Sequence, residues 1–378
     1  MRLVATIGIS SLALASCSTT SSSSGPSVTG IPASSITVGL QVVGCTPSGT
    51  CITLGGPGSS GPVYATAEER TPKGHWSTYS APLGSQLTFS QLGCSNSLCV
   101  VFGQSGPTQE LWTDSLASNA FQSVPLPPKL ESFNAVSCNA DSCNVLYTST
   151  TNQVFIGTVS SSAVPNWSTA AQIWPSPSAA AAPTTTTTTT QPATTASSTS
   201  STTSSTSTST TTTTSTTLPA SNNSSNENVS GLALSCPDTY QCVAAVQAGT
   251  ALSLVRVLPG IQSTESTNWK AVASLSCSTK SCEALITTPT GKVLAHSSNF
   301  AKSWRYASAP LGLSKFQCAT TQHCVGIGPG PWVGWINGLN VTPGKTTYVP
   351  SALLDVACST KDCAAIGITT VASVRLTP

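Results

Sequence analysis

The chain has 378 residues, 14 Lys+Arg against 12 Asp+Glu, and only 7% charged residues. That balance lacks the basic excess or basic runs on which binding to nucleic acid or an acidic lipid surface depends, and neither is expected as a partner. Fifteen cysteines with only three histidines point to bridges in an oxidising compartment rather than to a metal centre, so no metal and no cofactor is expected.

In chain order, Met1-Arg2 is followed by an apolar run, Leu3 to Ala15, of signal-peptide length and too short to span a bilayer. It ends in Leu14-Ala15-Ser16-Cys17, which resembles the lipobox of bacterial lipoproteins. The resemblance implies a signal peptide over 1–16 and a lipidated, palmitate-bearing Cys17 that anchors the chain on the extracytoplasmic face of the cell membrane. Residues 17–27 form a Ser/Thr/Gly tether with too little apolar surface to fold.

From there one unit recurs. Cysteines pair at short spacing seven times: Cys45/Cys51, Cys94/Cys99, Cys138/Cys143, Cys236/Cys242, Cys277/Cys282, Cys318/Cys324 and Cys358/Cys363, with Cys17 alone left over. Successive first cysteines are 49, 44, 98, 41, 41 and 40 residues apart, and removing the 56-residue Pro/Ser/Thr tract 175–230 shortens the long interval to 42. A period near forty marks a repeat architecture whose units cannot bury their own faces alone. After each second cysteine comes a short β-prone run, such as Cys99-Val100-Val101-Phe102 or Cys242-Val243-Ala244-Ala245-Val246. Tyr64, Trp112, Phe155, Leu254, Leu294, Trp335 and Val374 mark a third strand. Trp76, Phe121, Trp167, Trp269, Trp304 and Tyr348 mark a fourth. Four antiparallel strands per unit predict an all-β, seven-bladed β-propeller of four-stranded blades, with one intra-blade disulfide across the loop joining the first two strands of each blade. A bridge closing so short a loop contributes roughly 2 kcal/mol by the chain-entropy model.

Blades 1–3 are expected over 28–174 and blades 4–7 over 231–378, separated by a disordered Thr/Ser/Pro-rich linker, 175–230, of a kind that often carries O-linked sugars. Three blades alone would leave open strand edges, whereas a long insertion adds little to loop-closure entropy, so one ring is expected. The last copy ends too soon for a fourth strand, and Val28 to Pro32 is expected to supply it by pairing near Thr370 to Leu376.

Ser297-Ser298-Asn299-Phe300-Ala301-Lys302-Ser303-Trp304 resembles the Asp-box turn of bacterial sialidase-like propellers, with Asn for Asp, Ala for Gly and Ser for Thr. The repeated Leu234-Ser235-Cys236 or Val136-Ser137-Cys138 phrase is similar to that of secreted actinobacterial repeat proteins of this kind. The resemblance implies a fold and no chemistry, because the Asp-box is a structural turn between the third and fourth strands. Sialidase chemistry would require an arginine triad, and Arg70, Arg256, Arg305 and Arg375 do not form that motif. Glu68-Glu69-Arg70 reads as a solvated cluster in an exposed turn, and Asp141, Asp238 and Asp362 as turn formers inside cysteine loops. Trp332, in a Gly/Pro-rich turn at the rim and off the strand register, is the candidate ligand-contact residue. No catalytic residue is assigned. The expected function is a cell-surface binding or scaffolding module for a cell-wall glycan or secreted protein; the alternative is a diverged sialidase-like glycoside hydrolase or lyase, which would gather two acids with Arg or Tyr at one mouth of the channel.

Overall fold

The computed structural model describes residues 27–32, 39–55, 66–70, 76–80, 87–116, 120–160, 166–175, 229–320, 323–330, 332–347, 352–367 and 370–375. The signal peptide, Cys17, the body of the Thr-rich tract, Tyr64, His75 and Tyr348 lie outside these residues.

A first strand, β1 (Ser27–Pro32), precedes the repeats. Sheet 1 follows with β2 (Leu40–Cys45), β3 (Cys51–Gly55), β4 (Thr66–Arg70) and β5 (Trp76–Ser80). Sheet 2 has β6 (Leu87–Cys94), β7 (Leu98–Ser105), β8 (Thr108–Ser115) and β9 (Ala120–Ser123). Sheet 3 has β10 (Leu130–Cys138), β11 (Cys143–Ser149), β12 (Val154–Ser160) and β13 (Asn166–Trp174). Sheet 4 opens at Val229, two residues inside the expected linker, with β14 (Val229–Ser235), β15 (Cys242–Ala248), β16 (Ala251–Leu258) and β17 (Ile261–Thr267). Sheet 5 has β18 (Ala271–Cys277), β19 (Cys282–Thr288), β20 (Gly291–Ser297) and β21 (Arg305–Ser308). Sheet 6 has β22 (Lys315–Thr320), β23 (His323–Gly328), β24 (Trp332–Asn337) and β25 (Asn340–Pro343). The last strands are β26 (Lys345–Thr347), β27 (Leu353–Cys358), β28 (Asp362–Gly367) and β29 (Thr370–Arg375).

The inner strands β2, β6, β10, β14, β18, β22 and β27 pack in that cyclic order, and β27 returns to β2, which makes an all-β propeller. The expectation of a seven-bladed propeller with four strands in every blade is corrected by its closing sheet, which has five strands in the order β26-β1-β29-β28-β27. β1 pairs antiparallel with β29, Val28 opposite Val374 and Pro32 opposite Thr370, as the sequence suggests. Its other edge is taken in parallel by β26, Ser27 opposite Lys345, which the sequence did not suggest. The physical reason is the edge that β1 would otherwise leave unpaired. Pro343 ends β25, and β26 begins only two residues later on the neighbouring sheet. Glu68, Glu69 and Arg70 are also corrected: they lie in β4, not in a turn.

Both faces of each sheet are covered by neighbours, so second strands read as unbroken apolar runs rather than alternating ones. Cys51 to Gly55 and Leu98 to Phe102 are buried throughout. Apolar layers fill all the gaps between adjacent sheets, for example Val100, Phe102 and Leu111 against Val145 and Tyr147, or Leu40 and Val43 against Ala364 and Ile366. Trp112, in the third strand as expected, meets Phe89 edge-on; Trp269 and Trp304, expected in fourth strands, lie just after β17 and just before β21, and meet edge-on at 5.2 Å between ring centroids.

Adjacent inner strands share no backbone ladder. Each seam is bridged instead by a polar side chain. The backbone N–H groups of Phe89, Val136, Cys236, Cys277 and Phe316 donate respectively to Gln41 (2.6 Å), Gln91 (3.0 Å), Ser137 (2.8 Å), Ser235 (2.7 Å) and Ser274 (3.1 Å). Lys315 pairs with Asp355 across the next seam, and the N–H of Val43 donates to Asp355 Oδ2 at 3.0 Å across the last. In six sheets the inner strand slips register four residues before its first cysteine, at Gln41, Ser90, Asn134, Leu232, Ala273 and Leu354. Such bulges re-aim the side chains that follow them, and Gln91, Ser274 and Asp355 stand immediately after theirs.

Replacing Gln91 with Ala should destabilise the protein by about 1–3 kcal/mol, because it strips partners from both the N–H of Val136 and the C=O of Asn134. Urea unfolding of the full chain measures this, with Ser90→Ala, at an exposed neighbouring position, as a control expected within about 0.5 kcal/mol of the parent.

Candidate functional site

The seven disulfides form as the spacing predicts, Cys45–Cys51, Cys94–Cys99, Cys138–Cys143, Cys236–Cys242, Cys277–Cys282, Cys318–Cys324 and Cys358–Cys363. Cα atoms are 3.8–4.1 Å apart, since six of the pairs sit directly opposite in the antiparallel ladder. Because every bridge joins the same two strands of its sheet, all seven closed loops fall on one end of the ring. The first cysteine of every pair lines the central cavity, whose volume is about 530 Å³.

These loops form a collar. Within them, Asp238 Oδ1 accepts the N–H groups of Tyr240 and Gln241, and Asn139 Oδ1 those of Asp141 and Ser142. Loops of adjacent sheets also bond to each other. The N–H of Asn96 donates to the C=O of Ala140 at 3.0 Å, Ser142 and Thr239 share a hydroxyl contact of 3.3 Å, and Thr360 Oγ1 donates to the C=O of Pro47 at 2.9 Å. Side chains held in this way lose little further freedom when they meet a ligand. Tyr240 stands 72% exposed on the collar.

The cavity wall is mostly Gly, Ala, Ser, Thr and disulfide, with Glu283, Lys315 and Asp355 as its charged residues. Lys315 and Asp355 neutralise each other. Glu283 is only 2% exposed and meets His296 Nδ1 through Oε1 at 2.7 Å, while its Oε2 has no hydrogen-bond partner among the described residues. Burial pushes the Glu283 carboxyl up to about 8, and burial, helped by the nearby Arg305 guanidinium, lowers His296. At neutral pH the pair therefore carries one proton, held on the carboxyl and donated to a neutral imidazole. Ser276, Glu283, His296 and Arg305 are successive cross-strand neighbours on β18 to β21, forming a polar row from channel wall to rim. Such a neutral carboxyl can donate a proton, but a glycosidase needs a second, available carboxylate, and Asp355 is committed to Lys315 and to the N–H of Val43. Among the described residues no three His, Cys, Asp or Glu gather as a metal site.

The sequence holds one signal for this row. The residue after the second cysteine is Ile52, Val100, Val243, Val325 or Ala364 in five other copies and Asn144 in the sixth, and Glu283 is the one charged residue at this position. Trp332 is placed differently from expectation: it opens β24 opposite Gly328 rather than sitting in a rim turn. Its ring lies against Gly312, Gly326 and Gly334, where an added Cβ would fall 2.5–3.3 Å from ring atoms, and it packs on the apolar layer between sheets 5 and 6. Those contacts are packing contacts. The turn 298–304 joins β20 to β21 and is tied by Asn299, whose Oδ1 accepts from Ser297 Oγ and from the N–H of Ser303, both at 2.9 Å. Phe300 and Ala301 have φ of 52° and 60°, and the N–H of Phe300 donates to the C=O of Lys280 at 2.8 Å, docking the turn onto the collar.

No protein-family model matches the sequence, and no curated protein matches it. Solved structures of similar fold do. A catalytically inactive virginiamycin B lyase from Staphylococcus aureus with quinupristin superposes with TM-score 0.55 at 7% identity, covering 93% of this chain and 99% of that one. YCF48 bound to D1 peptide gives 0.54 at 13% identity over 93% and 97%, and YCF48 from Cyanidioschyzon merolae gives 0.55 at 11% over 92% and 98%. At these identities the likeness concerns the propeller fold alone.

Glu283 gives a pH test. Above the ordinary carboxyl value of 4.5 the unfolded chain has released a proton that the folded chain keeps until about 8, so stability falls as pH rises through this window. His296 acts with the opposite sign, only below its ordinary 6.5. Between pH 6.5 and 8 the parent protein should lose about 2 kcal/mol relative to Glu283→Gln, which keeps a donor toward His296, as read by denaturant unfolding at each pH.

Proposed function

We propose that the chain is a non-catalytic binding or scaffolding module held at the outer face of the cell membrane by a lipid on Cys17, with the disulfide collar as its recognition face. The observation that carries this reading is the collar itself. Seven short loops, each closed by its own bridge and several of them bonded to a neighbouring loop, surround one mouth of a channel whose charged residues are paired with each other or with His296. A channel mouth lined by hydroxyls, backbone groups and paired charges suits a polymeric ligand, a glycan or an extended protein segment, laid across it more than it suits charge-stabilised chemistry. A propeller of similar fold, YCF48, holds a peptide, and this chain is read as holding its own ligand in the same broad manner. No helix among the described residues is long and apolar enough to cross a membrane, and the lipid on Cys17 supplies the attachment, with the Asp-box-like turn 298–304 acting as structure.

Two measurements test the reading. Cys17→Ser should move the protein from the membrane fraction to the medium and abolish labelling by palmitate. The purified chain, disulfides intact, should retain a cell-wall glycan or a secreted protein from the parent cell's envelope. Retention of neither, with an intact fold, sinks the binding-module reading.

A further inference from the structure

The small net charge of +2 conceals a partition around the ring. The stretch 87–174, which carries sheets 2 and 3, contains Glu110, Asp114, Glu131 and Asp141 against Lys129 alone. Sheet 5, spanning 271–308, contains Lys280, Lys292, Lys302 and Arg305 against Glu283 alone, and Glu283 is buried against His296. Three of these cations share the collar end. Lys280 lies in the Cys277–Cys282 loop, the turn carrying Lys302 is bonded to the Lys280 carbonyl, and Arg305 opens β21 directly after that turn. All three are exposed, and none has a carboxylate within ion-pair distance among the described residues. The supporting backbone is fixed: Ser278 Oγ accepts from the N–H groups of Lys280 and Ser281, and Asn299 Oδ1 from that of Ser303.

We infer that Lys280, Lys302 and Arg305 form a binding site for a linear phosphate-bearing polyanion of the cell exterior, laid across the collar end of sheet 5. Three cations on two tied loops present point charges at several positions, which matches the repeating charge of a polyphosphate or polyol-phosphate chain better than one bidentate carboxylate. With no acid opposing them nearby, the local potential is positive although the molecule is nearly neutral, so the attraction is a surface property that overall charge does not show. The site deepens the binding-module reading and rests on it.

Linear polyphosphate is the probe, with the full disulfide-bonded chain and binding measured across a salt series. Lys280→Gln/Lys302→Gln/Arg305→Gln should weaken binding at least tenfold and flatten the salt dependence, with an unchanged unfolding midpoint. Lys129→Gln/Lys345→Gln, exposed cations in the turn before β10 and at the start of β26, should change it less than twofold. Equal binding by the triple variant, or equal loss in the control pair, overturns the assignment. So does equally tight binding of polygalacturonate, which would make the patch a reader of carboxylates. If the triple variant still retains envelope material that the parent retains, this site falls while the binding-module reading stands; if the parent retains neither envelope material nor polyphosphate, both fall.

Discussion

The architecture depends on how sheets without a shared backbone ladder are held side by side. Within each sheet, backbone ladders join the strands; between sheets, the inner strands meet, among the described residues, through apolar packing and one side chain reaching a backbone N–H or an opposite charge per seam. Apolar layers supply most of the attraction but little orientation. The seam bonds supply direction, because each requires a particular residue of one inner strand to face a particular N–H of the next. Where the stitch follows the register slip directly, at Gln91, Ser274 and Asp355, the bulge sets that facing.

This coupling explains what the sequence revealed and what it hid. The cysteine spacing made the repeat, the strand order within a sheet and the bridges legible, because a short covalent loop between two strands leaves few alternatives. The terminal strand at Val28 to Pro32 was legible for a similar reason, the missing fourth strand of the last copy. The added strand at Lys345 to Thr347 was not, since a three-residue segment has no periodicity and its partner lies more than three hundred residues earlier. Trp332 misled because its Gly/Pro surroundings resemble a turn; Gly326, together with Gly312 and Gly334, instead leaves the space its ring occupies. The Glu283 and His296 contact was hidden because the two residues are thirteen apart in sequence and meet only once β19 and β20 pair.

Charge tells the same story at larger scale. Lys280, Lys302 and Arg305 form no run in the sequence, and a count of charges reads as neutral. Folding gathers them because loops at one end of a sheet belong to segments some twenty residues apart. The same folding sets the acidic sheets 2 and 3 apart from the basic sheet 5, so the collar is chemically uneven around its circumference even though its bridges repeat evenly.

The five-stranded closing sheet has a mechanical consequence. β1 is flanked on both edges, antiparallel to β29 and parallel to β26. A pull applied to the chain at Ser27 runs along the axis of β1, so both ladders are loaded lengthwise and must give way together, rather than opening one hydrogen bond at a time from a free margin. The point where tension enters the domain is therefore also where the ring resists it across two ladders at once.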